Sequence, residues 1–189
     1  MPALFLSEDE VREALTMPVA IDAVEEAFRQ LAEGKAQNVP RSRARGGGIV
    51  LHTMSASADY AGLVGWKAYT TTARGARFHV ALYDSASGAM LALIEADYLG
   101  RMRTGAASGV ATEHMARRDA TKVGILGSGN QARTQLEAVC VVRPITRAYV
   151  YSPTREHRER FAQEMEPTCK TEVVPVDRPQ EARSGRAHV

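Results

Sequence analysis

The chain has 189 residues, of which 44% are hydrophobic and 24% are charged, and its formal net charge is +2. This composition is typical of a globular protein with one large domain or two small ones. The nearly balanced charge excludes an obvious nucleic-acid or anionic-membrane partner. The longest apolar runs are far short of a transmembrane span, and no charged-then-apolar signal segment opens the chain. The two cysteines, which lack metal or redox spacing, lead us to expect a cytoplasmic protein.

The first hundred residues predict a mainly antiparallel sheet with helices. Ser7 and Glu10 form a capping box, which indicates a short helix that ends near Leu15. Apolar residues at helical spacing predict a second helix that ends near Gly34, and the arginine- and glycine-rich segment 37–48 is predicted to be a loop. Strand-like runs follow at 49–54, 63–69, 78–83 and 90–94.

The pattern changes after Ala96. A helix rich in small residues, 103–116, is predicted to pack closely against another backbone, in this chain or in a second subunit. Strands then alternate with helices, which predicts parallel crossovers and an α/β sheet. These elements are expected at 122–126 (strand), 130–142 (helix), 148–151 (strand), 156–165 (helix) and 172–176 (strand).

The turn after the first of these strands reads Gly127-Ser128-Gly129, with Ala132 at the third position of a dinucleotide fingerprint. Gly127 permits a sharp turn, Gly129 permits close approach of a pyrophosphate, and the following helix offers its N-terminal amides. A plain tight turn is the alternative interpretation. Because a strand precedes the turn and a helix and a second strand follow it, we favour dinucleotide binding.

The end of the second strand bears on the choice of cofactor. NAD-specific sites usually place an acidic residue there, whereas this chain has Ser152, Thr154 and Arg155. A hydroxyl and a guanidinium suit a 2′-phosphate, so NADP(H) is favoured and NAD(H) remains possible. A solvated helix start is an equally good interpretation of Arg155 and its neighbours.

Other candidate sites are weaker. The five histidines are scattered, and Cys140 and Cys169 have neither metal nor redox spacing, so we expect no metal site and read the cysteines as buried or incidental thiols. Glu95 and Asp97 are interpreted as charges at a helix start rather than as a catalytic pair.

Four stretches together resemble the ornithine cyclodeaminase/mu-crystallin family. They are VPRSR (39–43), GLVGWKAYT (62–70), the run from His79 to Thr112 that contains RTGAA, and VGILGSGNQARTQLEAV (123–139). The resemblance implies an α/β homodimer. Its N-terminal α+β domain, residues 1–118, binds substrate and dimerises, and an incomplete Rossmann-type doubly wound parallel domain follows at 119–189.

The resemblance also implies a set of site residues. Arg41, Lys67 and Arg103 would surround the α-carboxylate of an amino or imino acid, which guanidinium groups hold bidentately. Each of the three residues also has an interpretation without a role in binding, because such cations are often solvated or form surface ion pairs. The residues implied at the cofactor are Arg103, Thr104, Gly127, Ser128, Gly129, Asn130, Gln131, Ser152, Thr154 and Arg155.

The resemblance further implies a catalytic aspartate and later Rossmann elements that lie beyond position 189, so no catalytic residue is assigned in this chain. We expect a frameshift or truncation near Ala182, with 183–189 as an out-of-frame tail. A half sheet exposes a strand edge and apolar side chains. We therefore expect the 189-residue chain alone to be inactive and poorly soluble.

Three functions remain open for the full-length design. The first, which we favour, is reduction of a cyclic imino acid such as pyrroline- or piperideine-carboxylate. The second is cyclodeamination of ornithine to proline and ammonia. The third is a catalytically inactive fragment or a cofactor-binding protein without turnover.

Overall fold

The computed structural model describes residues 2–184, and it divides the chain into two compact units. The first unit comprises Met1–Thr16 and Glu25–Gly100, and the second comprises Met17–Val24 and Arg101–Val189. The sequence-based domain boundary at residue 118 marks the start of the parallel sheet, whereas the compact units divide after Gly100. No helix within the described part of the chain is both long and apolar enough to cross a bilayer.

The first unit is built on a seven-stranded sheet. Its strands are β1 (Leu4–Leu6), β2 (Ala36–Asn38), β3 (Ser42–Gly46), β4 (Ile49–Ala58), β5 (Leu63–Thr72), β6 (Gly75–Asp84) and β7 (Met90–Glu95). The strand order is β1-β7-β6-β5-β4-β2, and β3 also pairs with β4. All pairings are antiparallel except that of β1 with β7, which is parallel. The predicted antiparallel sheet is therefore confirmed.

The predicted loop over 37–48 was wrong. That segment contributes the end of β2 and all of β3, and both strands pair with the long strand β4. Every residue of β3 is exposed, so it lacks the alternation of buried and exposed side chains that identifies a strand in sequence. Strand β3 is held by hydrogen bonds to the neighbouring strand β4 rather than by burial of apolar side chains.

Helix α1 (Glu8–Ala14) covers one face of this sheet. Its Ser7 capping box is present as predicted, and Val11 packs with Ala92 and Ile94 of β7. Asp97 begins α3 (Asp97–Met115), and its carboxylate accepts a hydrogen bond from the Phe78 amide of β6 at 3.0 Å. Asp97 is thus more than the helix-start charge predicted from sequence, because it also fixes a neighbouring strand.

The second unit contains a three-stranded parallel sheet in the order β10-β9-β8. Its strands are β8 (Lys122–Leu126), β9 (Arg147–Tyr151) and β10 (Glu172–Pro175), and its helices include α4 (Asn130–Val142), α5 (Arg155–Cys169) and α6 (Pro179–Ser184). Helix α2 (Met17–Ala32) begins in this unit. Strand order 3-2-1 with intervening helices is the first half of a Rossmann-type doubly wound sheet, as predicted.

The two faces of the parallel sheet carry different helices. Leu136 of α4 and Phe161 of α5 pack with Val150 of β9 in one buried cluster. Tyr149, the neighbouring residue of β9, faces the other way and packs with Ala182 of α6. Arg183 and Ser184 are the last residues of α6, and the rest of the predicted out-of-frame tail, 185–189, lies outside the described residues.

The small-residue helix packs closely, as its composition predicts. A Cβ atom added to Gly105 of α3 would lie 2.4 Å from the backbone oxygen of Thr134 in α4. No side chain fits in that space, so glycine is required where the two helices touch. The contact lies within the second unit and holds α3 against the helix that follows the glycine-rich turn.

Candidate functional site

The glycine-rich turn connects β8 to α4. Gly127 has φ +105°, a conformation that other residues rarely adopt. Its amide donates to the Tyr151 carbonyl at the end of β9, at 2.7 Å. Gly127 therefore makes the sharp turn that the fingerprint requires, at the carboxyl ends of two neighbouring parallel strands.

Helix α4 follows its N-cap Gly129, and no side chain of the described residues caps its first backbone amides. A Cβ atom added to Gly129 would meet no atom within 4 Å. The turn lines a cleft of about 340 Å³ together with Gln131 and Ala132. Backbone amides at an uncapped helix start, facing an open cleft, are suited to a phosphate group.

Ser128, Asn130 and Gln131 surround the same turn. The carbonyl of Ser128 accepts a hydrogen bond from Arg133 Nη1 at 2.8 Å, and Arg133 is held in turn by an ion pair with Glu164 of α5. Asn130 and Gln131 are exposed on the first turn of α4. Arg133 thus steadies the turn from its protein side and leaves the cleft side open.

The residues predicted to select the cofactor follow β9. The buried Ser152 hydroxyl donates to the Thr154 carbonyl at 3.1 Å. Thr154 is the N-cap of α5, but its side chain makes no capping hydrogen bond. Arg155 is exposed and pairs with Glu159 one turn later in the helix, at 2.6 Å. The Thr154 hydroxyl and one exposed guanidinium therefore stand at the start of α5.

A buried arginine that the sequence analysis missed supports this turn. Arg158 donates to the Ser152 carbonyl at 3.0 Å and pairs with Asp177, which follows β10. It thus ties together the segments that follow two adjacent strands. Its position in the sequence, among other charged helix residues, carries no signal of burial.

In the first unit the structure brings Arg41 and Lys67 to one aromatic ring. The Arg41 guanidinium carbon and the Lys67 Nζ each lie 5.5 Å from the centroid of Tyr69. Lys67 Nζ also lies 5.1 Å from the centroid of Phe78. Arg41 precedes β3 and Lys67 is in β5, so the pairing of both strands with β4 creates this arrangement.

The ring beneath the two cations belongs to a stack of three. His52, Tyr69 and Phe78 occupy paired positions on β4, β5 and β6. The His52 and Tyr69 centroids are 4.2 Å apart with planes at 1°, and the Tyr69 and Phe78 centroids are 4.6 Å apart. Three stacked rings form a rigid floor, because each fixes the rotamer of the next.

His52 is the most polar part of this floor. Its Nε2 lies 3.1 Å from the Thr71 hydroxyl, while no group among residues 2–184 bonds to its buried Nδ1. Burial, followed by the positive charges of Arg43, Arg41 and Arg45, lowers the pKa of His52. The ring is therefore neutral near pH 7, which permits close stacking beneath cations.

Lys67 also borders an apolar cavity. This cavity has a volume of about 260 Å³, and Met54, Val80 and Leu82 lie on the same sheet face as Lys67. A charged head beside apolar walls is suited to a small molecule with a carboxylate at one end and an apolar body.

Arg103 and Thr104 belong to the second unit. Arg103 is exposed and Thr104 is half-buried, and both lie on α3.

In the described part of the chain, no group of three or more histidine, cysteine or acidic side chains is arranged to hold a metal ion.

A model of the ornithine cyclodeaminase/mu-crystallin family matches residues 1–188. The chain belongs to this family. It is 48% identical over 84 residues to a Delta(1)-pyrroline-2-carboxylate reductase of Bacillus cereus, an alignment that covers 44% of this chain and 26% of that one.

Two solved structures of family members are similar to the whole described fold. The Delta(1)-pyrroline-2-carboxylate reductase of Thermococcus litoralis, in complex with NADH and L-proline, is 34% identical with a TM-score of 0.88, over 95% of this chain and 58% of that one. An archaeal alanine dehydrogenase dimer with bound NAD is 30% identical with a TM-score of 0.89, over 96% and 58% of the two chains. The chain thus spans less than two thirds of the length of these relatives.

Two aromatic residues of the candidate site in the first unit were not predicted from the sequence. Tyr69 and His52 were not singled out, although an aromatic residue two positions after Lys67 in a strand shares its sheet face. The two-residue spacing of Lys67 and Tyr69 is visible in the sequence. The pairing of Tyr69 with His52 is not visible there, because it depends on the register of β4 against β5.

Proposed function

We propose that this chain forms the substrate- and cofactor-binding part of an NAD(P)-dependent reductase that acts on a cyclic imino acid. The observation that carries the proposal is the convergence of Arg41 and Lys67 on Tyr69, beside the apolar cavity that Lys67 borders. Two cations supply the charge for one carboxylate, and the apolar walls suit a hydrocarbon ring.

The carboxylate is the part of the substrate that the first unit would hold. An Arg41 guanidinium can donate two parallel hydrogen bonds to its oxygens, and the Lys67 ammonium adds a third donor. Fixing the carboxylate limits rotation of the attached carbon, so one face of the C=N bond is presented for reaction. Arg103, assigned by family resemblance, is proposed to contribute a third positive charge.

The second unit would bind the nicotinamide cofactor. Gly127, Ser128 and Gly129 would receive the pyrophosphate, which meets the uncapped amides of α4. When bound, the cofactor would supply a hydride to the imine carbon, and the nitrogen would gain a proton as the cyclic amine forms. The NADH of the Thermococcus relative and the NAD of the archaeal relative support a pyridine nucleotide here.

For this chain we favour NADP(H), with NAD(H) as the alternative. No acidic side chain occupies positions 152–155, and Thr154 and Arg155 stand exposed at the start of α5. An acid would repel a 2′-phosphate, whereas an arginine attracts it. The ion pair of Arg155 with Glu159 is exposed, so it can exchange partners at little cost.

We also propose that the chain forms a homodimer through the sheet face opposite Lys67. Leu51, Val64 and Leu91 lie on that face and are 41%, 39% and 42% exposed. The archaeal alanine dehydrogenase is a dimer, which supports a second copy as the partner. Light scattering on the wild type and on Leu51→Lys would test this, because a buried charge should shift the protein toward monomer.

The proposal is tested by calorimetric titration of L-proline, the cyclic amine product, in the presence of NADH or NADPH. We expect saturable binding that Arg41→Met and Lys67→Met each weaken by about tenfold or more. Arg74→Met, in the exposed turn between β5 and β6, is the matched control and should bind like the wild type. Equal affinity in all four proteins would overturn the assignment of the carboxylate site.

L-Ornithine separates the reductase from a cyclodeaminase. None of the described residues that line the cavity beside Lys67 is acidic. A second ammonium group would find no opposite charge there, so L-ornithine should bind at least about tenfold more weakly than L-proline. Tighter binding of L-ornithine would favour cyclodeamination instead. We further propose that the 189-residue chain binds ligands without turnover, which an assay of nicotinamide oxidation with a cyclic imine would test.

A further inference from the structure

The chain has two cysteines, and the second unit brings them together. Cys140 lies near the C-terminal end of α4, and Cys169 is the last residue of α5. Both are half-buried and pack against the cluster of Leu136 and Phe161. Sequence spacing gave no sign of this pairing, because the two positions become neighbours only when α4 and α5 pack side by side.

The two thiols interact with each other. This interaction lowers the pKa of Cys140 and raises that of Cys169. Cys140 is therefore the more acidic thiol of the pair. Burial and the nearby Glu137 carboxylate oppose ionisation of both cysteines, so the pair should react more slowly than an exposed low-pKa thiol.

We propose that Cys140 and Cys169 are a reversible redox site that forms an intramolecular disulfide with a peroxide or a small-molecule disulfide as the oxidant. Cys140 is the attacking thiol and Cys169 is the resolving thiol. This site is independent of substrate and cofactor binding.

The reaction balances with either oxidant. The Cys140 thiolate attacks a small disulfide, forms a mixed disulfide and releases one small thiol. Cys169 then attacks the Cys140 sulfur, and the second small thiol leaves. With hydrogen peroxide, Cys140 becomes a sulfenic acid and Cys169 displaces water from it. Each route removes two electrons and two protons from the protein.

The position of Cys140 and Cys169 determines which part of the second unit their disulfide affects. Both cysteines lie at the C-terminal ends of their helices, whereas the glycine-rich turn lies at the N-terminal end of α4. Lys170 has φ 50° and ends α5, and the Thr171 hydroxyl anchors the following segment to the Ile145 carbonyl at 2.7 Å. Adjustment to the S–S distance is thus confined to the last turns, and the bond should stabilise the second unit without closing the cleft.

The test uses the full chain with hydrogen peroxide and with oxidised glutathione. Peptide mapping by mass spectrometry should find Cys140 linked to Cys169 in the wild type, and dithiothreitol should restore both thiols. The melting temperature should rise by roughly 5–10 °C on oxidation. Cofactor affinity should change less than about twofold, since the turn is distant from the bond.

Single variants distinguish the two roles. Cys169→Ser should accumulate a glutathione adduct on Cys140, because the resolving thiol is absent. Cys140→Ser should react at Cys169 at least about tenfold more slowly. Cys→Ala versions replace the serine variants if these unfold. Disulfide-linked pairs of chains, glutathione retained on both wild-type cysteines, or two thiols that stay free with both oxidants would each overturn the proposal.

Discussion

Arg41 and Lys67 lie equally far, at 5.5 Å, from the ring centroid of Tyr69, although they come from different parts of the sheet. Arg41 precedes an edge strand and Lys67 is central in the sheet. Both cations lie within cation–π distance of the Tyr69 ring, while His52 and Phe78 stack on it. One side chain therefore holds two charges that would otherwise repel each other. Tyr69 is therefore expected to position both cations for a shared carboxylate.

Replacement of Tyr69 by leucine should weaken L-proline binding by about 5- to 20-fold, because two cation–π contacts are lost. Tyr69→Phe keeps the ring and should stay within about threefold of the wild type. Calorimetry in the presence of NADH measures both. If leucine and phenylalanine weaken binding equally, the Tyr69 ring is not what positions Arg41 and Lys67.

His52 should make the stability of the first unit depend on pH. Its pKa is lowered in the folded protein, so the unfolded chain binds a proton first as the pH falls. Stability is then lost below the ordinary histidine pKa of about 6.5. His52→Phe keeps a stacked ring that cannot titrate, and it should lose less stability than the wild type between about pH 7.5 and about pH 5.5.

Fluorescence of Trp66 in β5 follows this unfolding, because it is the one tryptophan of the chain. His157→Gln, on α5 of the second unit, is the control and should keep the wild-type pH dependence. Parallel curves for the wild type and His52→Phe would contradict the assignment to His52.

Arg143 should be a major source of stability in the second unit. It is 8% exposed, and its guanidinium donates to the carbonyls of Thr112, Glu113 and Ala116 at the end of α3 and to that of Arg117. Arg143→Met removes the guanidinium donor from all four carbonyls, of which those of Thr112 and Arg117 also accept from backbone amides. The substitution should lower the free energy of unfolding by about 2–4 kcal/mol. Urea denaturation followed by circular dichroism measures the change.

Arg117→Met is the matched control for Arg143. The Arg117 side chain is 80% exposed and pairs with an equally exposed Asp119. Such pairs contribute little, so this variant should unfold at nearly the wild-type urea concentration. A comparable loss in both variants would show that general charge, and not the capping of α3, is responsible.

Arg155 should determine how well the chain distinguishes NADPH from NADH. Arg155→Ala removes the guanidinium proposed to face a 2′-phosphate and should weaken NADPH binding by about tenfold, with little effect on NADH. Arg160→Ala, exposed on the same helix, controls for loss of positive charge. Fluorescence titration of NADPH and NADH measures both affinities. An unchanged ratio of the two affinities would show that Arg155 does not select between the nucleotides.

The sequence predicted most of the second unit because its signals are local. The strand before Gly127, the turn itself and the helix after it are contiguous, and each obeys a backbone rule. The strands of 37–48 were missed because their hydrogen bonds depend on a partner in β4 and their side chains are exposed. Arg143 and Arg158 look like surface charges in sequence, and only tertiary packing buries them.

The candidate site was predictable in part for the same reason. Arg41 and Lys67 were assigned by resemblance, whereas their shared contact with Tyr69 follows from strand register, which the sequence does not specify. The contact between Cys140 and Cys169 depends on the packing of α4 against α5. Sequence spacing alone therefore led to reading these thiols as incidental.

The turn at Gly127–Gly129 is proposed to receive the pyrophosphate of a nicotinamide dinucleotide. Gly129 has φ −80° and ψ −176°, which a valine can adopt, and a Cβ atom there meets nothing within 4 Å. Gly129→Val should therefore fold normally while its side chain blocks the cleft. Gly46→Val, also with no atom within 4 Å of an added Cβ atom, is the control in the first unit.

The decisive measurement is a fluorescence titration of NADPH and NADH against these three proteins. We predict saturable binding of at least one nucleotide to the wild type and to Gly46→Val, and none to a folded Gly129→Val. Binding of equal strength to Gly129→Val, or no binding of either nucleotide to the folded wild type, would contradict it.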